Sequence, residues 1–228
     1  MNQSGTLRTE AISLALIAGY VDGYALHVFG IYVSFMSGNT TLTGVGVGQG
    51  QFAAALAPAL AIAGFVVGSF LGHWFVCSEV KHSRRLLFVA SALLIVCFVV
   101  TNLHVSAQAN LSLPLLSVAM GMLNPAVTRV GSEPVSLTFV TGTLNKVGNH
   151  LALAVRHAKL PDAQAPWDSH FRRAALEASL WAGFLAGATL SGTASRYFGV
   201  LELIPASIAL IAFGLVNRPT TTSPSLQH

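Results

Sequence analysis

Charge is what this sequence has least of. Of its 228 residues only 9% are Asp, Glu, Lys or Arg, against roughly 25% in an ordinary soluble domain. So few charges cannot clothe a water-exposed surface of this size, which argues against a soluble fold. Cysteine is nearly absent too. Cys77 and Cys97 do not form a CxxC pair, so neither a disulfide framework nor a metal site is indicated, and both read as small apolar packing residues. There is no phosphate-binding glycine loop, no metal-spaced Cys/His set and no nucleophile elbow. The expectation is a non-enzyme without a cofactor or metal. The basic excess, +4 with a pI near 9.4, sits in loops and gives no reason to expect a nucleic-acid partner. What is abundant is apolar surface: 53% hydrophobic residues and a mean hydropathy of +0.65. Several runs reach the about 20 residues needed to cross a bilayer core.

Eight apolar or semi-apolar elements follow one another, at about Ala11–Val33, Ser37–Gly48, Phe52–Val76, Arg85–Leu103, Leu111–Val127, Val135–Val155, Arg173–Ala194 and Val200–Val216. The first lacks a clean small-residue cleavage site, so it reads as a span and not a leader. The second (SGNTTLTGVGVG) and the sixth (with TGTLNKVGNH) are too polar to face lipid. They read as short, broken or re-entrant Gly-rich helices lining a protein interior. The tail, 218–228, is rich in Pro, Ser and Thr and is expected to be disordered.

Loop charge decides between eight spans and six. Lys and Arg collect on the cytoplasmic side. Lys81, Arg84 and Arg85 occupy one loop, and Arg156, Lys159, Arg172 and Arg173 another, whereas 102–110 has neither Lys nor Arg. If all eight elements cross, the two basic loops fall on opposite sides. If the second and sixth do not, both basic loops and both termini are cytoplasmic. The expected fold is therefore an all-α membrane protein with about six transmembrane helices. Residues 1–10 form a cytoplasmic segment and 11–217 a single transmembrane domain.

The domain carries a weak internal duplication, 11–103 against 109–217. Gly19-Tyr20-Val21-Asp22-Gly23 aligns with Gly121-Met122-Leu123-Asn124-Pro125, and Phe35-Met36-Ser37-Gly38-Asn39 with Phe139-Val140-Thr141-Gly142-Thr143. Gly64-Phe65 and Gly68 align with Gly183-Phe184 and Gly187. With six spans the halves enter the membrane from opposite sides, as two inverted three-helix repeats. In secondary transporters so built, the site lies near the midplane, where broken helices meet.

Polar residues at those breaks are the candidate site. Ser37, Gly38, Asn39, Thr40 and Thr41 precede a short helical run, with Asn, Ser or Thr as its N-cap. Thr141, Gly142, Thr143 and Asn145 repeat this arrangement. A helix N-terminus suits an anion or polar solute. Asp22 lies in mid-span between Tyr20 and Tyr24. It could carry a proton, bind a cation, pair with Lys146, or hydrogen-bond the Ser-Gly-Asn turn. Lys146 could attract an anion, hold Asp22, or reach for the interface. Arg129 should pair with Glu133, and Arg173 with Glu177 along one helix. His27 and His73 read as packed or interfacial. Gly64, Gly68 and Gly72, like Gly183 and Gly187, read as packing seams. Asn124-Pro125-Ala126 spells the water-channel triplet, but it ends a span and its counterpart reads Asp22-Gly23-Tyr24, so it is discounted.

The stretch AGYVDGYALHVFGIYVSFMSGNTTLTG resembles the YoaK family (DUF1275), bacterial membrane proteins of unknown function, marked by a GYVDA-like start and an F-x-x-x-TGN turn. Here Ser37 replaces the usual Thr, and in the second-half signature Leu123 stands where Gln is common. The resemblance covers nearly the whole chain. It implies a bacterial inner-membrane protein and no particular activity. The leading expectation is a small-solute transporter or channel, with its solute or ion near Asp22, Asn39, Asn124, Thr143 and Lys146 and a proton coupled through Asp22. The competing expectation is a non-transporting scaffold, sensor or assembly partner. The lipid bilayer is the expected partner, and a homo-oligomer is left open.

Overall fold

Backbone groups in lipid must be satisfied within the segment, which favours helices. The computed structural model describes residues 3–78, 83–102, 108–130, 132–161, 163 and 168–216. Eight α-helices form within these residues: α1 (Gln3–Phe29), α2 (Met36–Gly48), α3 (Phe52–Ser78), α4 (Ser83–Asn102), α5 (Gln108–Leu123), α6 (Val140–Val155), α7 (His170–Phe198) and α8 (Leu203–Val216). The chain is an all-α membrane protein with one small departure, a hairpin that pairs β1 (Arg129–Val130) with β2 (Glu133–Pro134). Two of the expected boundaries move. The first element, expected at about Ala11–Val33, is α1 from Gln3 to Phe29, so residues 3–10 are its first turns, where Arg8 donates to Ser179 Oγ at 3.0 Å. Residues 135–139, expected within the sixth element, run non-helically into α6. The tail and the centres of the loops at 79–82 and 103–107 lie outside the described residues.

Three helical stretches are long and apolar enough to cross a membrane: Gly5–Phe29, Phe52–Val76 and Arg85–Asn102. Two shorter apolar ones are Leu111–Ala126 and Leu203–Val216. α7 has the length, 29 residues, without the apolar character. It lies between α1 and α6, where Gly183, Gly187 and Ser191 are buried against protein, while Thr189 and Thr193 turn their hydroxyls back to carbonyls of their own helix. α3, by contrast, exposes Val66, Phe70 and Trp74, as a lipid-facing helix would.

Two extensive helix pairs organise the bundle, α1 on α7 and α3 on α5, with α2 on α3, α6 on α7, and α4 against α5 and α8. Small residues set the first two pairs. A Cβ at Gly187 would strike the Leu16 carbonyl, and one at Gly19 the Phe184 carbonyl. A Cβ at Gly68 would strike the Val118 carbonyl, and one at Gly121 the Phe65 carbonyl. Gly64 packs less tightly on Pro114, and Gly183 less tightly still on Ile12. Contacts advance in the same direction along both helices of each pair, so each pair runs parallel. The positions aligned in the sequence are the positions in contact: Leu16, Gly19, Phe184 and Gly187 in one seam, and Val118, Gly121, Phe65 and Gly68 in the other. Leu14, Val21, Leu94, Leu116, Met120, Leu203 and Leu210 fill the buried centre.

Candidate functional site

Each short helix is reached by a reversal of the chain. After α1, Gly30 takes φ +69°, a left-handed conformation that glycine adopts without strain. The strand-like run that follows turns back along α1. There the Asp22 carboxylate accepts the backbone N–H of Val33 at 2.8 Å and of Ser34 at 2.9 Å. Asn39, fully buried, donates its amide to the Tyr32 carbonyl at 2.7 Å and ties α2 to the same run. After α5, the turn Asn124–Ala126 and the hairpin lead to α6. Thr138, which aligns with Ser34, donates its hydroxyl to Asn124 Oδ1 at 3.1 Å, and Asn124 aligns with Asp22.

The two helix starts are near copies. The N-cap is Phe35 in α2 (φ −87°, ψ 73°) and Phe139 in α6 (φ −91°, ψ 66°), and neither start has a side-chain cap. This corrects the expected Asn, Ser or Thr cap. The Thr40 and Thr41 hydroxyls instead donate one turn back, to the Met36 and Ser37 carbonyls. Each Phe ring folds over the glycine of its own first turn, where a Cβ on Gly38 or Gly142 would strike it. The Met36 N–H turns to the Ser34 carbonyl at 3.1 Å, and with no side-chain acceptor in place the N–H groups of Ser37 and Gly38, and of Thr141 and Gly142, are left for whatever lies beyond the helix end.

What lies beyond is shared. A cleft of about 420 Å³ opens between the two starts. Phe35, Met36 and Ser37 wall one side, and Phe139, Val140 and Thr141 the other. Ser69 and His73 of α3 complete it, with Asn124, Thr128, Ser136 and Thr138. His73 Nδ1 lies 2.8 Å from the Ser69 carbonyl, so that nitrogen carries the proton. No carboxylate is among the lining residues.

Of the expected site residues, Ser37, Asn124 and Thr141 line this cleft. Gly38 and Gly142 shape its ends, and Asp22 and Asn39 hold the run that leads to it. The others lie elsewhere. Thr40 is exposed on the side of α2, Asn145 is exposed on α6, and Thr143 is buried one turn into α6. Tyr20 donates its hydroxyl to the Glu202 carbonyl at 2.7 Å, and Tyr24 packs edge-on against His27 and Phe29. Lys146 does not meet Asp22. It pairs with Glu177 at 3.1 Å and Glu133 at 3.3 Å, and donates to the Pro134 carbonyl. Two further expected pairings are replaced. Glu133 sits among Lys146, His150 and Arg173. Arg173 also bonds Asp168 at 3.0 Å, while Glu177 takes Lys146. His27 lies 3.3 Å from the buried Glu202, so it is more than a packing residue.

Sequence reasoning passed over Ser69, Phe35 and Phe139 as site residues, and His73 as more than an interfacial side chain. The duplicated Phe ahead of each Ser/Thr-Gly pair was the available signal. The model of the family described as "Protein of unknown function (DUF1275)" matches residues 11–216. This chain belongs to the DUF1275 family. It is 31% identical over 214 residues to a UPF0700 transmembrane protein of Rhizobium meliloti (strain 1021), covering 90% of this chain and 86% of that one. No solved structure matches. Membership in DUF1275 agrees with the apolar helices that make this a membrane protein, and the family's description assigns no activity to the cleft.

Proposed function

We propose that this chain is a multi-pass bacterial inner-membrane transporter or channel for a small polar or anionic solute, and not an enzyme. In this reading α1, α3, α4, α5, α7 and α8 cross, while α2 and α6 dip in from opposite sides without crossing. The two halves are inverted repeats, and both termini are cytoplasmic. The exchange of equivalent seam positions between the halves supports the duplication. The two basic loops support the orientation.

The observation that carries the solute reading is the single cleft flanked by two uncapped helix starts. Each start offers backbone N–H groups and the positive end of a helix dipole. A lining of hydroxyls, one amide and one imidazole, with no carboxylate, favours an anion or an uncharged polar molecule over a cation. Phe35, Phe65 and Phe139 give it an apolar flank.

The test is flux into proteoliposomes of the purified chain, using chloride, formate, acetate and benzoate as probes. At least one should enter faster than into protein-free vesicles. Thr141→Trp, which adds bulk at an exposed lining position, should abolish that flux while the protein stays folded. Equal leakage of every probe with and without protein would leave the non-transporting reading in its place.

A further inference from the structure

The end of the bundle away from the cleft's first half holds a second polar centre that the solute reading does not use. It joins α6 to α7 and to the β hairpin. His150 and His170, each less than a tenth exposed, face one another with Nδ1 to Nδ1 at 3.0 Å. His150 Nε2 lies 3.4 Å from Glu133 Oε2. His170 Nε2 is buried and has no hydrogen-bond partner among the described residues. The charged groups around the pair are Lys146 from α6, Glu133 from β2, Arg173 and Glu177 from α7, and Asp168 just before α7. Ser132 adds a hydroxyl against Arg173.

Two constraints follow from these contacts. The first is stereochemical. A hydrogen bond between two Nδ1 atoms needs a proton on one and a lone pair on the other. With both rings neutral, His150 carries its proton on Nε2 toward Glu133, His170 carries its own on Nδ1, and the bare His170 Nε2 is left over. That matches the unpartnered atom. One added proton can still leave a single N–H between the rings. With both rings cationic, two N–H groups point at each other and the contact is lost. The second constraint is charge. Two cationic rings would put two positive charges side by side in a buried place, where unpaired charge is costly.

We propose that His150 and His170 form a proton-binding site that latches α6 to α7, and that full protonation of the pair releases the cytoplasmic end of α6. Histidine is the side chain whose charge most readily changes with ambient acidity. Since α6 also forms one wall of the cleft through Val140 and Thr141, its release would move that wall. The latch is a property of the protein alone and stands or falls apart from the solute reading.

Hydrogen–deuterium exchange of the full chain in lipid nanodiscs, with no solute added, tests this directly. Rates are expressed as protection factors, which removes the intrinsic pH dependence of exchange. In the wild type, protection across residues 146–155 should fall roughly tenfold or more between about pH 8 and about pH 5, while α3 keeps its own. In His150→Gln and His170→Gln the fall should vanish. Constant protection of 146–155 in the wild type overturns the proposal, as does an equal loss in α3, which would be general acid unfolding. The same fall in the two variants also overturns it. Because the wild-type comparison of α6 with α3 is decisive by itself, failure of a variant to fold leaves the test intact. Absence of solute flux would not touch this result, and a pH-blind α6 would not touch the solute reading.

Discussion

The two short helices share a shape and differ in what holds them. α2 and α6 begin with the same Phe-capped turn, each Phe ring resting on a glycine. Each packs on the long helix that follows it. Yet α2 is held through near-neutral means: backbone N–H groups on the Asp22 carboxylate and the Asn39 amide on a carbonyl. α6 is held by a network in which the partly exposed Lys146 joins two buried carboxylates, Glu133 and Glu177, with a buried arginine and two buried histidines beside them. The geometry of the cleft is thus near-symmetric, while the anchoring of its two walls is not.

Mutations can break that contrast, beginning with the largest effect. Lys146→Met removes the cation that bridges Glu133 and Glu177; Glu133 keeps Arg173, but the buried Glu177 loses its ion pair with Lys146. A loss of about 3–5 kcal/mol is expected, seen as a fall in melting temperature. No single residue near α2 should match it. Next come the seams, which test the symmetry itself. Gly68→Ala and Gly187→Ala each push a methyl into a backbone carbonyl that cannot rotate away, at Val118 and Leu16 respectively. Each should cost up to about 3 kcal/mol, and the two losses should be alike. A loss confined to one seam would mean that the halves are not mechanically equivalent. Smaller still is the anchor comparison. Asp22→Ala leaves two backbone N–H groups without an acceptor, at about 2 kcal/mol, while Asn124→Ala leaves one hydroxyl that can turn elsewhere, at about 1 kcal/mol or less. Asp22→Asn keeps the accepting oxygen and should melt close to wild type. Flux with an unchanged pH dependence in Asp22→Asn would remove that carboxylate from proton coupling.

Much of the fold was legible because lipid leaves few options. Apolar runs marked most of the helices, and the two places where the membrane pattern failed became α2 and α6. α7 is the exception that explains the limit of hydropathy: its face is set by α1 and α6, which a window average cannot see. The cleft was legible in outline, from Ser37, Thr141 and Asn124, because similar polar turns precede the two short helices in the sequence. Its detail was not. Local propensity points to Ser or Asn as a cap, but Phe35 and Phe139 take the position because their rings pack on Gly38 and Gly142. Lys146 was matched with Asp22 on charge alone. Its true partners, Glu133 and Glu177, come from a hairpin and a helix whose approach only the tertiary fold decides. His150 and His170 were unremarkable in the sequence, since nothing in their spacing shows that two rings across a loop will touch.

In the proposed reading the starts of α2 and α6 together bind a small solute in one cleft. Anomalous diffraction from crystals of the chain grown in bromide tests this. An anomalous peak is expected between the first turns of the two helices, within hydrogen-bond reach of backbone N–H groups beside Ser37–Gly38 or Thr141–Gly142. A cleft closed by packed side chains or by a lipid tail, with bromide bound only at the surface, would contradict it.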